Sequence, residues 1–370
     1  MKQFKSQINI NSQTTGYIVG SELLANLHKI KEIKNRNYSS FLLLSDKNTY
    51  KLYGDSVKSS SQKLNKKVCV SLLPVGEKYK NLASLSALIQ PYFKFGFNRN
   101  SCLLALGGGV ITDIGGFLAS ILLRGIDSIF LPTSLLAQID AAIGGKNGVN
   151  FETENGFMFK NMLGTIHQPS FVISDIDVLN SLPDREIQNG LAEMVKYWIG
   201  WGKPNPVQLE KFKHLEDNHM NSFRVKEIIS TISECQKIKI GVVEKDPFEL
   251  TGIRQKLNLG HTIGHAIEAA ARGKLKHGQC VAVGLVACAK ISLYQGLLSQ
   301  KDYQEIIEVI KKLEHHHIIF SSISRQKVLQ AMELDKKGGT FVLIEKIGRL
   351  KTGVKVDKSL IKKVLKEILL

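Results

Sequence analysis

Through the first half of the chain, short apolar runs alternate with longer stretches of helical spacing. Phe41-Leu-Leu-Leu-Ser45, Val68-Cys-Val-Ser-Leu-Leu73, Ser101-Cys-Leu-Leu-Ala-Leu106 and Ser128-Ile-Phe-Leu131 read as buried strands, with a helix expected over Leu82 to Phe95 between two of them. Strands alternating with helices predict βαβ units on a parallel sheet. After Ser181-Leu-Pro183 the pattern turns to long helical periods: Asp184 to Trp198, Val225 to Val243, Leu259 to Arg272, Cys280 to Tyr294 and Lys301 to Glu314. Pro183 is a point where the chain can leave the sheet, and Asp184 and Glu186 suit the first turn of a new helix. The expected organisation is an α/β domain over residues 1–180 and a helical domain over 181–370, with no internal repeat or low-complexity linker.

Length and composition agree with this. A chain of 370 residues that is 43% hydrophobic is globular and too long for one ordinary core. No run reaches the 18 or more apolar residues that span a bilayer, and MKQFKSQINI lacks the apolar core of a secretory signal. The five cysteines are odd in number, scattered and without a CxxC pair, which argues for packed thiols in a reducing compartment. A cytoplasmic protein is expected. The net charge of +17 comes from lysines dispersed along the chain, with only short clusters such as Lys66-Lys67 and Lys336-Lys337. No basic stripe interleaved with aromatics is present, so neither nucleic acid nor membrane is expected as a partner. Most of the excess reads as solvated surface lysine.

Candidate chemistry begins at Leu103-Leu-Ala-Leu-Gly107-Gly108-Gly109-Val110-Ile-Thr-Asp113, which reads strand, glycine turn, helix start. Glycines let the backbone turn sharply and approach a pyrophosphate, whose charge meets the amides of a helix N-terminus. The spacing departs from GxGxxG. Two further elements follow strand ends: Pro132-Thr133-Ser134 running to Asp140 and Gly144-Gly145-Lys146, and the upstream Gly76-Glu77-Lys78-Tyr79-Lys80. Hydroxyls, bare amides and a cation suit phosphate, and an acid suits a ribose. Taken singly, each also reads as a helix cap or turn; three at successive strand ends point to a nicotinamide dinucleotide.

The helical half holds a second constellation. In Asn258-Leu-Gly260-His261-Thr-Ile-Gly-His265-Ala-Ile-Glu268, His261 and His265 lie one turn apart on one face, and His277 begins the next helix. This approaches the ligand spacing of zinc enzymes. The best anionic partner is in Gly190-Leu-Ala-Glu193-Met-Val-Lys196-Tyr197, where Glu193 and Lys196 share a face of an otherwise apolar stretch. Such a pair costs several kcal/mol if buried unpaired, so it needs dedicated partners. A lone His167 before Gln-Pro reads as structural, and His315-His316-His317 carries little catalytic weight.

Together, Gly107-Gly-Gly…Asp113, Pro-Thr-Ser-Leu-Leu-Ala-Gln-Ile-Asp140, Gly-Gly-Lys146, Leu-Pro-Asp-Arg-Glu186, Gly-Leu-Ala-Glu193-Met-Val-Lys196-Tyr and Leu-Asn258-Leu-Gly-His261-Thr-Ile-Gly-His265 resemble 3-dehydroquinate synthase. The likeness runs in matching order from about residue 40 to 350. It implies an N-terminal Rossmann-like parallel-sheet domain and a C-terminal all-helical domain. It also implies conversion of 3-deoxy-D-arabino-heptulosonate 7-phosphate, a phosphorylated sugar acid, to 3-dehydroquinate and phosphate in the shikimate pathway. The scheme is oxidation of a ring alcohol with NAD, β-elimination of phosphate, return of the hydride, ring opening and aldol closure. The resemblance makes Glu193, His261 and His277 the ligands of a divalent metal, Zn2+ with Co2+ tolerated, and leaves His265 as a substrate contact or proton relay. Lys146, Asn161, Lys337 and Arg124 resemble the phosphate and carboxylate grip, with Arg124 shared across a homodimer. Lys196, Lys239, Arg254 and Asn258 match other substrate contacts. Asp46, Glu77, Lys80, Gly108, Gly109, Val110, Asp113, Thr133, Ser134, Asp140, Lys146 and Lys160 fall to the cofactor, Asp140 bridging the two sites.

The chain departs from the family pattern in three places. The loop Phe151–Phe159 is about five residues longer, Gln279 stands where Glu is usual, and one extra residue lies between Lys239 and Arg254. Rival readings are a cyclase acting on sedoheptulose 7-phosphate or glucose 6-phosphate, and a metal-dependent polyol dehydrogenase. Lys239, Arg254, Asn258 and His265 keep the dehydroquinate pattern against the first, and the phosphate grip argues against the second.

Overall fold

Seven strands build the main sheet: β1 (Gln3–Ile10), β2 (Gln13–Gly20), β3 (Ser40–Asp46), β4 (Lys67–Leu73), β5 (Cys102–Gly107), β6 (Asp127–Pro132) and β9 (Phe171–Asp175). In this computed structural model, which describes residues 3–10, 13–153, 158–212, 222–313, 323–334 and 340–369, they lie in the order β1-β2-β9-β6-β5-β3-β4. β1 and β2 are antiparallel and every other pairing is parallel. The four strands expected from apolar runs are β3, β4, β5 and β6. Three of them explain themselves: β5 is buried along its whole length, and β3 and β6 nearly so. Strands covered on both faces need continuous apolar side chains. Full burial of each leucine in β3 is worth about 1.5–3 kcal/mol against exposure.

From β3 the chain moves outward to β4, then crosses back to β5 and continues to β6 on the other side. The order therefore reverses between β3 and β5, where open α/β sheets bind ligands outside the carboxyl ends of their strands. A separate antiparallel hairpin, β7 (Lys146–Glu152) and β8 (Met158–Ile166), follows the loop after β6.

The chain divides into two compact units. One takes the chain up to Leu182 together with a stretch ending at Gln236; the other takes Pro183 onward together with Lys237 to the C-terminus. The helix Ser222–Lys245 thus begins with the first unit, not the second as its sequence position suggests. Its Gln236 explains why: the buried side-chain amide donates to Gln138 O at 2.8 Å and Ser174 Oγ at 3.1 Å.

The second unit carries the helices Asp184–Trp201, His261–Ala271, His277–Tyr294, Gln300–Leu313, Arg325–Leu334 and Lys358–Ile368. It is not all-helical. β10 (Thr340–Lys346) and β11 (Arg349–Lys355) form an antiparallel hairpin. Phe341-Val-Leu-Ile344 is a buried run too short for a helix, and Ile344 N donates to Ser292 Oγ at 2.9 Å. Among the described residues one helix, His277–Tyr294, is long and apolar enough to cross a membrane by length and composition, although His277, Gln279 and Lys290 interrupt its apolar run. It is largely buried within its unit, as a core helix is.

Candidate active site

In the first unit the glycine turn joins β5 to the helix Gly109–Ile121. Gly108 takes the cap position with extended backbone, and no side chain caps the helix, so its first amides are presented for an anion. A Cβ at Gly115 would lie 2.7 Å from the Ala105 Cβ, and one at Gly116 would collide with the Asn147 amide. These glycines let the helix sit directly on the sheet and on β7. After β6, Thr133 N donates to Gly107 O at 3.0 Å, so the hydroxyl-bearing turn is hydrogen-bonded to the glycine turn. Ser134 Oγ accepts from Ala137 N at 3.2 Å, and Asp140 follows in a π-turn, Ala137–Ala141. Gly144 and Gly145 have φ of 97° and 67°, conformations that favour glycine, and lead to the exposed Lys146.

Two other expected cofactor residues are engaged within the protein. Asp46, at the end of β3, accepts from Asn48 N at 2.9 Å and Thr49 N at 3.0 Å as a helix cap. Lys80 is buried, ion-paired with Asp113, and donates to Asn161 Oδ1 at 2.6 Å. Glu77 and Lys160 are exposed. Arg124 and its neighbour Leu123 have φ of 65° and 50°, followed by Gly125 at 118°. Two adjacent non-glycine residues in the left-handed region are strained, a state that clusters at functional positions.

In the second unit the metal candidates converge. Glu193 is fully buried, and its Oε1 lies 3.3 Å from His261 Nε2 and 3.3 Å from His277 Nε2. Ring nitrogens of His261, His265 and His277 all lie within 4.8 Å of one another. The outer nitrogens fix the tautomers. His261 Nδ1 lies 3.0 Å from Leu259 O, and His277 Nδ1 lies 3.2 Å from Glu268 Oε2. A proton on each Nδ1 satisfies those acceptors and turns both Nε2 lone pairs toward Glu193 Oε1. Three lone-pair donors facing one point repel unless a cation lies among them, which is the donor set of a zinc-type centre with a carboxylate behind one histidine. With no cation bound, the chain has to supply protons instead. Burial alone would lower the His277 pKa, but hydrogen bonds to Glu193 and Glu268 push it up to about 10.

Lys196, 1% exposed, pairs with the other Glu193 oxygen from one turn along the helix and stands 4.9 Å from the Tyr197 ring centroid. Burial by itself would raise the Glu193 pKa; Lys196 and then His261 instead hold it well below the usual carboxylate range. Lys239 and Arg254 are also buried, and Asn258 is half-buried at the end of the turn Ile253–Asn258. The loop before Arg254 is organised by Asp246, which accepts from Leu250 N at 2.8 Å, Thr251 N at 3.1 Å and Arg254 N at 3.1 Å. Burial opposes ionisation there, but these amides hold Asp246 down at about 2. Lys337 lies outside the described residues, as do His315-His316-His317 and residues 154–157 of the long loop.

Three site residues escaped the sequence reading. Glu268 stands seven residues after His261 in the same motif, a spacing that returns to the same helix face. Asn189 precedes Glu193 by one turn, and its Oδ1 accepts from Gly278 N at 2.6 Å, fixing the His277 helix to the Glu193 helix. Asn150 lies in β7 beside Lys80 and Asn161. Gln279, which stands where the family usually has Glu, caps its own helix by accepting from Lys276 N at 2.8 Å; Glu268 is the carboxylate behind His277.

Comparison with known proteins accords with this geometry. A family model for the 3-dehydroquinate synthase N-terminal domain matches residues 70–189, and one for the C-terminal domain matches residues 190–338. The 3-dehydroquinate synthase of Thermodesulfovibrio yellowstonii is 39% identical over 332 residues, covering 88% of this chain and 89% of that protein. That of Crocosphaera subtropica is 36% identical, covering 98% of both. Among solved structures, a 2-deoxy-scyllo-inosose synthase complexed with carbaglucose-6-phosphate, NAD+ and Co2+ aligns at a TM-score of 0.84 and 26% identity, covering 98% of this chain and 100% of that one. A probable glycerol dehydrogenase from Sinorhizobium meliloti shares the fold at a TM-score of 0.63 and 13% identity, covering 99% of this chain and 98% of that one.

Proposed function

Because the chain belongs to the 3-dehydroquinate synthase family, we propose that it works as an NAD- and metal-dependent, phosphate-eliminating lyase. It is a sugar-phosphate cyclase that converts 3-deoxy-D-arabino-heptulosonate 7-phosphate to 3-dehydroquinate. The observation that carries the metal dependence is the convergence of His261 and His277 on the buried Glu193. A related cyclase solved with NAD+ and Co2+ supports the same cofactors here.

Bound NAD supplies a reversible hydride acceptor, and the divalent ion supplies a Lewis acid that acidifies the substrate hydroxyls. The protein's own residues do the rest. Glu193, His261 and His277 hold the ion, with Glu268 keeping the His277 tautomer. Gly108, Gly109 and Val110 meet the pyrophosphate with backbone amides. Thr133, Ser134, Asp140, Glu77, Asp113, Lys80, Asp46 and Lys160 surround the rest of the cofactor. Lys146, Asn161, Arg124 and Lys337 bind the phosphate and carboxylate, which are anions and need donors. Lys196, Lys239, Arg254 and Asn258 orient the ring hydroxyls, and His265 moves the proton.

Arg124 acts in the partner subunit of a homodimer, and the strained Leu123–Arg124 backbone supports a dedicated role for it. The exposed apolar side chains Ile121, Leu123, Phe151, Phe159, Met162 and Ile166 on the first unit suit coverage by a second copy. The free thiols Cys69, Cys102, Cys235, Cys280 and Cys288 suit a reducing compartment, so the reaction is assigned to the cytoplasm. Protein supplied with NAD, zinc and heptulosonate phosphate should release inorganic phosphate with no net NADH. Accumulating NADH would instead indicate a polyol dehydrogenase, and phosphate released only from sedoheptulose 7-phosphate would overturn the substrate.

A further inference from the structure

We infer that Asn150 is a positioning residue that locks the cofactor-side Glu77 and the substrate-side Asn161 into one hydrogen-bonded unit. The inference rests on the roles proposed above for those two residues. Asn150 is only 3% exposed, whereas Glu77 and Asn161 are both exposed. Its side-chain amide has one donor end and one acceptor end, and both are used. Nδ2 donates to Glu77 Oε1 at 2.9 Å, and Oδ1 accepts from Asn161 N at 3.0 Å. Its own N–H donates to Lys80 O at 2.7 Å, and Lys80 Nζ donates to Asn161 Oδ1 at 2.6 Å. Asn150, Asn161 and Lys80 therefore close a ring, and the Lys80–Asp113 ion pair ties that ring to the glycine-turn helix.

The backbone gives an independent reason. The β7–β8 register steps from Val149↔Leu163 to Phe151↔Phe159, so β8 carries extra residues opposite Asn150. Asn161 lies in that bulge with φ of 51°. Bulges re-aim side chains beside sites, and a left-handed non-glycine residue persists only when its surroundings fix it. The Asn150 side-chain Oδ1 and the Lys80 ammonium supply that fixing from opposite ends of Asn161. Only Asn fits this role at position 150. Asp keeps the acceptor but faces the Glu77 carboxylate with a second negative oxygen, and Leu offers neither end.

The test uses the full-length protein and two readouts: NAD affinity by titration, and KM for heptulosonate phosphate at saturating NAD. Asn150→Asp should weaken NAD about tenfold, the effect of losing a hydrogen bond to a charged group, while KM moves little because Asn161 keeps its acceptor. Asn150→Leu should raise both. Asn150→Asp combined with Glu77→Gln restores a reversed donor–acceptor pair, so the double variant should bind NAD as Glu77→Gln alone does. A double variant whose loss equals the product of the two single losses overturns the pairing. NAD affinity and KM both unchanged in Asn150→Leu, with only the melting temperature lowered, would make Asn150 merely structural and overturn the inference. If the parent protein itself neither binds NAD nor releases phosphate, the functional reading fails and takes this one with it. An active parent with an indifferent Asn150→Asp sinks this inference alone.

Discussion

Replacing Glu193 with Gln removes one negative charge and almost no volume, so it isolates the electrostatics of the second unit. Glu193 is fully buried and Lys196 is 1% exposed, so neither can exchange its partner for water. After the change the Lys196 ammonium faces a neutral amide inside the helix. Breaking a buried pair from one side costs about 3–5 kcal/mol, because the remaining charge is left uncompensated. Screening does not reduce this much at such burial. The metal-free variant should unfold in urea at a clearly lower midpoint than metal-free parent, with an unchanged slope. Adding Lys196→Met should recover most of the loss, since replacing both charges by groups of similar shape is nearly neutral. Bound zinc, assayed with a chromophoric chelator after gel filtration, should fall to background in both variants. Two results would refute the reasoning: a metal-free Glu193→Gln chain as stable as the parent, or a variant that retains zinc at full stoichiometry.

Three further outcomes are expected. His265→Ala should keep its zinc and lose phosphate release on the proposal that His265 is a relay and not a ligand; lost zinc would make it a ligand. Gly278→Ala places a Cβ 2.7 Å from the Asn189 Cα, so the His277 helix must back away from Glu193; zinc affinity should fall more than about tenfold if the ligand spacing opens, and unchanged affinity contradicts this. Metal uptake should release protons. His277 in the metal-free chain is raised from 6.5 to about 10, so its imidazolium contacts stabilise that form fully below pH 6.5 and fade as pH rises through 10. Zinc must expel that proton, so affinity should climb between pH 7 and 9 with about one proton released per ion at pH 8. A flat affinity over that range, measured with an indicator dye, would count against the assignment.

Much of this was legible along the chain because the signals are local. The runs Phe41–Ser45, Val68–Leu73, Ser101–Leu106 and Ser128–Leu131 are strands within a residue or two, and Leu82–Phe95 is a helix with both ends as expected. The Glu193 pair was visible because two charges on an apolar helix face need a reason. The hairpins were harder. β8 reads Met-Phe-Lys-Asn-Met-Leu-Gly-Thr-Ile, with neither a buried run nor an alternating face, and its register breaks at a bulge. β10 follows the turn signal Gly338-Gly339, but its apolar run Phe341–Ile344 is too short for periodicity to tell strand from buried helix. Glu268 and Asn189 were missed for a different reason. Their roles lie in which atom each one faces, and only the crossing of three helices decides that. Asp46, assigned to the cofactor by resemblance, also caps its own helix, a second engagement that its place at a strand end does not reveal.

The helices His261–Ala271 and His277–Tyr294 meet through bare backbone. A Cβ at Gly284 would collide with the Gly260 carbonyl, and one at Gly264 would stand 3.0 Å from Cys280 O. Ordinary helix pairs are separated by side chains that act as springs, yielding when something between them changes size. Here the spring is missing. The gap between the two histidines is set by main-chain atoms in van der Waals contact, so it is about as stiff as the helices themselves. An ion of the wrong radius cannot be accommodated by relaxing that contact. On the proposed ligand set, the misfit would appear in the imidazole torsions and in the reach of Glu193, and mechanical rigidity would take part in the choice of metal.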